Sequence, residues 1–354
     1  MTAVELAEGF PEALRTLLRH DSLRSRVISC GGPHMLRLLA LLACLAFSGA
    51  AAAQGFPARP LRIVVGAPPG QSSDLLARVL ANHLAQGLGQ PVLVENRPGA
   101  GASLGPAFVA KAPPDGYTIL MATSGPLAIR PGIYSDMPYD SVKSFEPVTA
   151  LAAAPLVFAV AADSPYRNAT DLVRAAKARP ESVSYGSPGV GSINHLSAEM
   201  FAGLAGVKMP HVPYKGSPAV FTDIIGGRIT FVADPVPGIT PLIKGGKLRA
   251  FGVAAASRSP MLPDVPTFDE QGFKGFTADV WFGLLAPAGT PAAILDRLDA
   301  ETVRVVALPE MQKQFADWGL APMSERREAY RERIRADIEK WRKVIKDIGG
   351  VQPE

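Results

Sequence analysis

The sequence predicts an α/β protein of two domains, each with a mostly parallel sheet. Strand-like and helix-like segments alternate along residues 61–255, which is typical of layered α/β domains. A long apolar segment, residues 149–162, is broken by Pro155 and resembles a strand that leaves one domain for the other. A return crossing is expected within residues 273–287. The two crossings predict that the C-terminal residues pack back onto the first domain.

The first domain, residues 54–154, is predicted from three strand-like segments with helices between them. The strands are LRIVVGA, PVLVEN and YTILMAT, and the helices are SSDLLARVLANHLAQGLG and PAFVAKA. Gly89 ends the first helix, and a Gly-rich loop precedes the second. This strand–helix alternation favours a parallel sheet, because parallel neighbours need a crossover connection.

The second domain, residues 155–276, repeats the alternation four times. Its segments are, in order, TDLVRAAKA, SVSYG, INHLSAEMFAGL, VKMPHVPY, SPAVFTDIIGG, RITFVAD, ITPLIKGG and KLRAFGVAA. Residues 277–354 form the return to the first domain, with helices from TPAAILDRL onward. The last helix alternates charge sign at helical spacing, which is typical of a solvated face.

Residues 1–53 are interpreted as an N-terminal extension and a secretory signal peptide, with the signal starting at about Met35. A Leu-rich run is followed by AAAAQ, whose small residues fit cleavage near Ala53–Gln54. The sequence leaves open whether translation starts at Met1 or Met35. Both cysteines lie in the removed part, so the mature protein has no disulfide or cysteine nucleophile. A periplasmic protein is expected.

The composition excludes several classes of function. The net charge of +4 comes from scattered Lys and Arg with no basic stripe, so a nucleic-acid partner is not expected. The histidines lack the spacing of metal ligands, and no cofactor motif is present. No metal and no cofactor are predicted.

Two similar loops lie 120 residues apart. The alignment places GAPPGQSSDLL on GSPGVGSINHL, and the matched residues are Gly66 with Gly186, Pro68 with Pro188, Ser72 with Ser192 and Leu76 with Leu196. Each copy follows a strand and opens a helix, and each predicted domain contains one copy. We call residues 66–73 the first loop and residues 186–192 the second loop.

Both loops have the chemistry of an anion site. Glycines that adopt positive φ leave backbone N–H groups pointing outward, and the helix behind adds its partial positive charge. Neither loop contains the G-K-[ST] of a P-loop, and GSPGVGS is not a dinucleotide fingerprint. A carboxylate is the common metabolite anion that remains.

Longer segments resemble the periplasmic receptors of tripartite tricarboxylate transporters, the Bug or TctC-type family. The segments include FPARPLRIVVGAPPGQSSDLLAR, LGQPVLVENRPGAGASLG, YGSPGVGSINHLSAEMF and LPDVPTFDEQG, within residues 55–325. The resemblance implies a two-lobed Venus-flytrap fold, type II-like, with a hinge of crossing strands. It also implies a small organic carboxylate held between the lobes and delivered to membrane permease subunits. A sensor kinase is the alternative partner, and a monomer is expected.

The resemblance also assigns ligand-binding residues. They are Ala67, Pro68, Gly70, Gln71, Ser72, Ser73, Asp74, Thr123, Ser124, Ser187, Val190, Gly191, Ser192 and Asp234. Gln71 departs from the family, which has Gly there, so its φ and its effect on ligand choice are open questions. Asp74 either caps its helix or recognises an amino or hydroxyl group of the ligand. The sequence does not identify the carboxylate.

No catalytic residue is predicted. GASLG matches the G-x-S-x-G nucleophile elbow, but Ser103 trails its strand by several residues, whereas an elbow needs Ser between strand and helix. No acid and base pair accompanies it. The sequence therefore predicts a non-catalytic receptor, with an enzyme on the same hinged scaffold or an adhesion module as the rival classes.

Overall fold

The computed structural model describes residues 55–323 and 325–352. The predicted extension, the signal peptide and both cysteines lie outside the described residues. Pro57–Glu354 forms one compact unit. No helix in the described ranges is long and apolar enough to cross a membrane.

The elements follow the predicted alternation. The strands are β1 (Leu61–Val65), β2 (Val92–Asn96), β3 (Thr118–Thr123), β4 (Phe145–Ala161), β5 (Tyr185–Ser187), β6 (His211–Pro213), β7 (Phe231–Pro235), β8 (Leu248–Val253), β9 (Asp279–Pro287) and β10 (Ala321–Pro322). The α-helices are α1 (Ser72–Leu88), α2 (Leu104–Val109), α3 (Ala169–Ala178), α4 (Ile193–Ala205), α5 (Ser217–Ile225), α6 (Val236–Lys244), α7 (Ala292–Val306), α8 (Pro309–Trp318) and α9 (Arg327–Asp347). A π-helix, Gly125–Ile129, and a 3₁₀ turn, Arg130–Gly132, follow β3 and were not predicted.

Two sheets share one long strand. The first has the order β2-β1-β3-β9-β4, with β1 parallel to both β2 and β3, and β10 pairs with β4. The second has the order β4-β7-β5-β6, with β5 parallel to both β6 and β7, and β8 also pairs with β4. Each sheet therefore has a parallel core, and the crossing strands add antiparallel pairs.

Strand β4 passes from the first sheet into the second. Residues Phe145–Pro155 pair with β9, whereas Leu156–Ala161 pair with β7 and β8. The returning chain is bonded at the same place, because Leu156 N–H donates to Ala278 O at 3.0 Å. This pair of crossings is the hinge that the sequence predicted.

The C-terminal helices return to the first sheet. Helix α7 packs against α1 and β4, and α9 packs against β4 and the π-helix. Tyr330 of α9 is fully buried beside Gly283 of β9, where any Cβ would collide with its ring. Helices α7 and α9 thus bury apolar side chains against the same sheet.

Candidate functional site

A pocket lies where the first loop, the ends of β1 and β3, and the second loop converge. Its cavity volume is about 60 Å³. This volume counts the space open to a water-sized sphere, and one water needs about 10–15 Å³ of it. The cavity therefore holds about four to six waters or a small organic molecule. Both sheets contribute lining residues, including Phe282 of β9 in the first sheet and Pro235 of β7 in the second. The pocket is therefore lined by both halves of the fold.

The first loop connects β1 to α1 through a left-handed glycine. Gly70 has φ +85°, and Gln71 is the N-cap of α1 with φ −80° and ψ 154°. These are ordinary extended angles, so a Gln at this position costs no backbone strain. Gln71 lines the pocket, as do Ser72 and Ser73 at the start of α1.

Asp74 holds the first loop together. Its carboxylate accepts hydrogen bonds from Gly70 N–H at 2.9 Å, Arg78 Nε at 3.0 Å and Asn96 Nδ2 at 2.9 Å. Burial opposes ionisation, but the hydrogen bonds from Arg78, Gly70 and Asn96 outweigh it and lower the pKa of Asp74. Asp74 does not line the pocket. Of the two interpretations of Asp74, this geometry favours a structural role at the helix N-terminus.

The second loop is closed by the N-cap of α4. Ser192 Oγ accepts from His195 N–H at 3.2 Å and donates to Gly189 O at 2.7 Å. Gly189 and Gly191 have φ values of +134° and +78°, which favour glycine. Ser187 Oγ donates to Gly189 O at 3.1 Å. The loop is therefore rigidly bonded to itself, and Ser192 reaches the pocket wall.

Two stacked histidines support the second loop from behind. The rings of His195 and His211 lie 4.0 Å apart, and Gly191 N–H donates to His195 Nδ1 at 3.3 Å. His211 Nε2 lies 2.7 Å from Ser187 Oγ. Burial and then the neighbouring His211 lower the pKa of His195 to about 3, and burial lowers that of His211 to about 4. Both rings are therefore neutral near pH 7.

A buried arginine is bonded to the second loop and has no carboxylate partner among the described residues. Arg130 is 5% exposed, and its Nη1 donates to Val190 O at 2.5 Å. Its guanidinium lies over the ring of Tyr134 at 4.0 Å. Within the described ranges Arg130 forms no ion pair. A Cβ on Gly101, a pocket residue, would lie 2.5 Å from Arg130 Nη1. This uncompensated cation beside the pocket favours an anion inside it.

Asp234 lies next to the pocket lining, bonded to the lining residue Asn194. It is fully buried at the end of β7, and its Oδ2 accepts from Asn194 Nδ2 at 2.9 Å and from Ser217 Oγ at 2.5 Å. Burial raises its pKa to about 7, although the hydrogen bonds from Ser217 and Asn194 act in the other direction. Asn194 and Pro235 line the pocket beside it.

Buried polar atoms without hydrogen-bond partners collect at this site. The atoms are Gln71 Oε1, Ser72 Oγ, Ser124 Oγ, Arg130 Nε and Asp234 Oδ1. Unpaired buried polar atoms are costly and rare in folded proteins, and a bound ligand or ordered water is a common partner for them. Their concentration around one pocket indicates a binding site.

The structure places the predicted residues in two groups. Those that line the pocket are Ala67, Pro68, Gln71, Ser72, Ser73, Thr123 and Ser192. Those outside the lining are Gly70, Asp74, Ser124, Ser187, Val190, Gly191 and Asp234. Contact of any of these residues with a ligand stays a prediction. Ser103 precedes α2 without a side-chain capping hydrogen bond, and its Oγ lies 3.2 Å from Tyr139 Oη, so it has a structural partner.

Other lining residues were not predicted as site residues. Asn194 lies two positions after the second-loop cap, and Lys215 and Gly216 precede α5. Gly99 and Gly101 come from the loop after β2. The sequence signal that could have indicated these two residues is the Gly-rich composition of that loop, because glycines allow close backbone approach. A Cβ on Gly189 would lie only 3.3 Å from Gly101 Cα.

A family model matches most of the described chain. The model is that of the tripartite tricarboxylate transporter family receptor, TctC, and it matches residues 76–350. The chain belongs to the TctC receptor family. This confirms the resemblance found in the sequence.

Solved structures of similar proteins match almost over their whole length. The periplasmic binding protein BugD is 32% identical with a TM-score of 0.80, over 84% of this chain and 100% of that one. The R. palustris protein Rpa4515 with adipate is 33% identical with a TM-score of 0.81, over 83% and 98%. MatC from Rhodopseudomonas palustris with bound malate is 29% identical with a TM-score of 0.78, over 82% and 100%. The TctC receptor described here thus has the predicted two-lobed fold of periplasmic binding proteins.

Proposed function

We propose that this TctC receptor is a periplasmic solute-binding protein that captures a small organic carboxylate in the pocket between its two loops. It delivers the ligand to the membrane permease subunits of a tripartite tricarboxylate transporter. The main observation behind this proposal is the pocket. Buried polar atoms without partners lie around it, and Arg130, which has no carboxylate partner among the described residues, lies beside it. Family membership and the adipate and malate in similar structures support the choice of carboxylate.

The proposal includes binding without turnover. In the described residues the pocket wall offers serine hydroxyls, but Ser192 Oγ is used in the helix cap and no histidine lines the wall. A nucleophile needs an adjacent base to activate it. We further propose that the protein acts as a monomer and is exported by a signal peptide that starts at about Met35, with cleavage near Ala53–Gln54.

The lobe boundaries are part of the same proposal. Lobe I comprises residues 54–154 and 277–354, and lobe II comprises residues 155–276. The change of partner along β4, from β9 up to Pro155 to β7 from Leu156, supports a boundary at that position. The predicted ligand contacts divide between the lobes, with the first loop and Thr123 in lobe I and Ser192 in lobe II.

A thermal-shift screen over mono-, di- and tricarboxylates tests the function. We expect at least one short carboxylate to raise the melting temperature, and isothermal titration should then give one site per chain. Native mass spectrometry after incubation should return the same compound unchanged. Failure of every carboxylate to bind would contradict the receptor proposal, and conversion of the bound compound would contradict its non-catalytic part.

A further inference from the structure

One corner of the pocket presents hydrogen-bond acceptors that have no donors. We call Gln71 Oε1, Ser72 Oγ and Asp234 Oδ1 the acceptor corner. A Cβ on Gly238 would lie 2.7 Å from Asp234 Oδ1 and 3.0 Å from Ser72 Oγ, so these two atoms face the same small space. Ser72 lines the pocket, and Asp234 lies next to that lining, because it is bonded to the lining residue Asn194.

Asp234 is held so that one oxygen remains available. Asn194 and Ser217 both donate to Oδ2, which fixes the carboxyl and leaves Oδ1 without a partner. The side chain is 0% exposed, so bulk water does not compensate Oδ1. Burial raises the pKa of Asp234 to about 7, and the carboxyl is therefore mostly ionised at pH 8 and accepts hydrogen bonds.

Gln71 adds an acceptor where the similar receptors are expected to have glycine. Its Oε1 is buried and unpaired, and a Cβ on Gly216 would lie 3.6 Å from it. Gly216 precedes Ser217, which bonds Asp234. Gln71 Oε1 therefore lies near the chain segment whose Ser217 donates to Asp234.

We propose that the pocket selects a carboxylate that also carries a hydrogen-bond donor, a hydroxyl or ammonium group, and that the acceptor corner receives this donor. This inference rests on the proposed carboxylate-binding function. A plain carboxylate or methylene in the corner would leave Gln71 Oε1 and Asp234 Oδ1 buried and unpaired, and a second carboxylate would face them with like charge. A hydroxyl or ammonium group pairs with them instead.

Isothermal titration at pH 8 with matched acids tests the inference. The sets are succinate, malate and aspartate, and adipate, 2-hydroxyadipate and 2-aminoadipate. In the set whose length fits the pocket, we expect the hydroxy or amino acid to bind at least about 10-fold more tightly than its parent, since a hydrogen bond to a charged group has about that effect. Gln71→Ala should reduce the ratio of affinities between the donor-bearing acid and its parent. Gln86→Ala, on the exposed face of α1, should leave that ratio unchanged.

Asp234→Asn provides a sharper variant. The two donors on Oδ2 require the Asn oxygen at that position, so its NH₂ group would face the corner and convert an acceptor into a donor. If the variant is folded by circular dichroism, its preference should move towards the parent acid. Should it not fold, the Gln71→Ala comparison decides alone.

The outcomes separate the two proposals. Equal affinity of wild type for parent and donor-bearing acids would overturn the inference and leave the receptor function standing. A difference that Gln71→Ala does not change would also overturn it. Absence of binding by every acid in both sets would contradict the carboxylate function itself.

Discussion

Replacement of Arg130 by Met should weaken anion binding without unfolding the protein. The guanidinium is 5% exposed, donates to Val190 O and forms no ion pair with a described residue. Met keeps much of the side-chain length and apolar volume over the Tyr134 ring. The substitution therefore removes a positive charge and one hydrogen bond, and it leaves the packing largely intact.

Two effects set the magnitude. For a ligand carboxylate bound about 8 Å from the guanidinium, at an effective dielectric constant of about 20, the charge contributes about 2 kcal/mol to the binding free energy. Its loss should therefore lower the affinity about 30-fold. For the unliganded protein, loss of a hydrogen bond from a charged group costs about 1.5–3 kcal/mol, whereas removal of an uncompensated buried charge returns a desolvation penalty of several kcal/mol. The unliganded stability should therefore stay constant or rise.

Isothermal titration and urea unfolding of the unliganded protein measure the two quantities. Arg249→Met is the matched control, because Arg249 also donates to backbone carbonyls, those of Ala162, Ser164 and Tyr166. Neither Arg249 nor these three residues line the pocket, whereas Arg130 adjoins the lining residue Gly101. It should leave the affinity unchanged. Unaltered affinity in Arg130→Met would refute the claim that this charge acts on the ligand, and a large loss of stability would refute the view of Arg130 as an uncompensated charge.

Three further changes test the loops. Ser192→Ala removes the cap that accepts from His195 N–H, and it should lower the urea unfolding free energy by about 1–2 kcal/mol. Gly216→Ala should weaken ligand binding, and circular dichroism should show that the variant is still folded. Gly216 has φ +130°, and the added Cβ would lie 2.3 Å from Pro68 Cγ of the first loop. The free energy of unfolding should fall as the pH is lowered from 6.5 to 4.5, since unfolded His195 and His211 take up protons that the folded pair, with pKa values of about 3 and 4, refuses.

The direction of the pH effect depends on three buried groups. Between pH 4.5 and 6.5 the unfolded chain binds protons at His195 and His211, whereas the folded protein holds one at Asp234, whose pKa is raised to about 7. About one proton more is bound by the unfolded state, so stability should change by about 1 kcal/mol per pH unit. His211→Phe should flatten the dependence, and an identical slope in that variant would contradict the assignment.

Residues close in sequence account for the parts of the site that could be predicted. Gly and Ser between a strand and a helix indicated both loops, and the 120-residue offset paired Pro68 with Pro188 and Ser72 with Ser192. The structure brings all four into one pocket lining. The pattern works because the turn, the cap and the helix start are set by neighbouring residues.

Contacts between distant residues account for what was missed. Lys215 and Gly101 reach the pocket only through the way the second sheet faces the first. The φ of Gln71 could not be predicted from the sequence, because it depends on the conformation of the whole loop. In the structure Gln71 is an N-cap with extended backbone angles that any residue adopts.

The charges around the pocket are placed so that they do not neutralise each other. Arg130 bonds the second-loop carbonyl of Val190, and Asp234 is occupied on one oxygen by Asn194 and Ser217, so neither charge has the other as its partner. An ion pair between them would remove both from ligand recognition. In the proposed receptor, the separated charges instead orient the ligand, with its carboxylate towards Arg130 and its donor towards Asp234. In this proposal the two loops bind the anionic end of the carboxylate, and Arg130 and Asp234 determine which carboxylate is preferred.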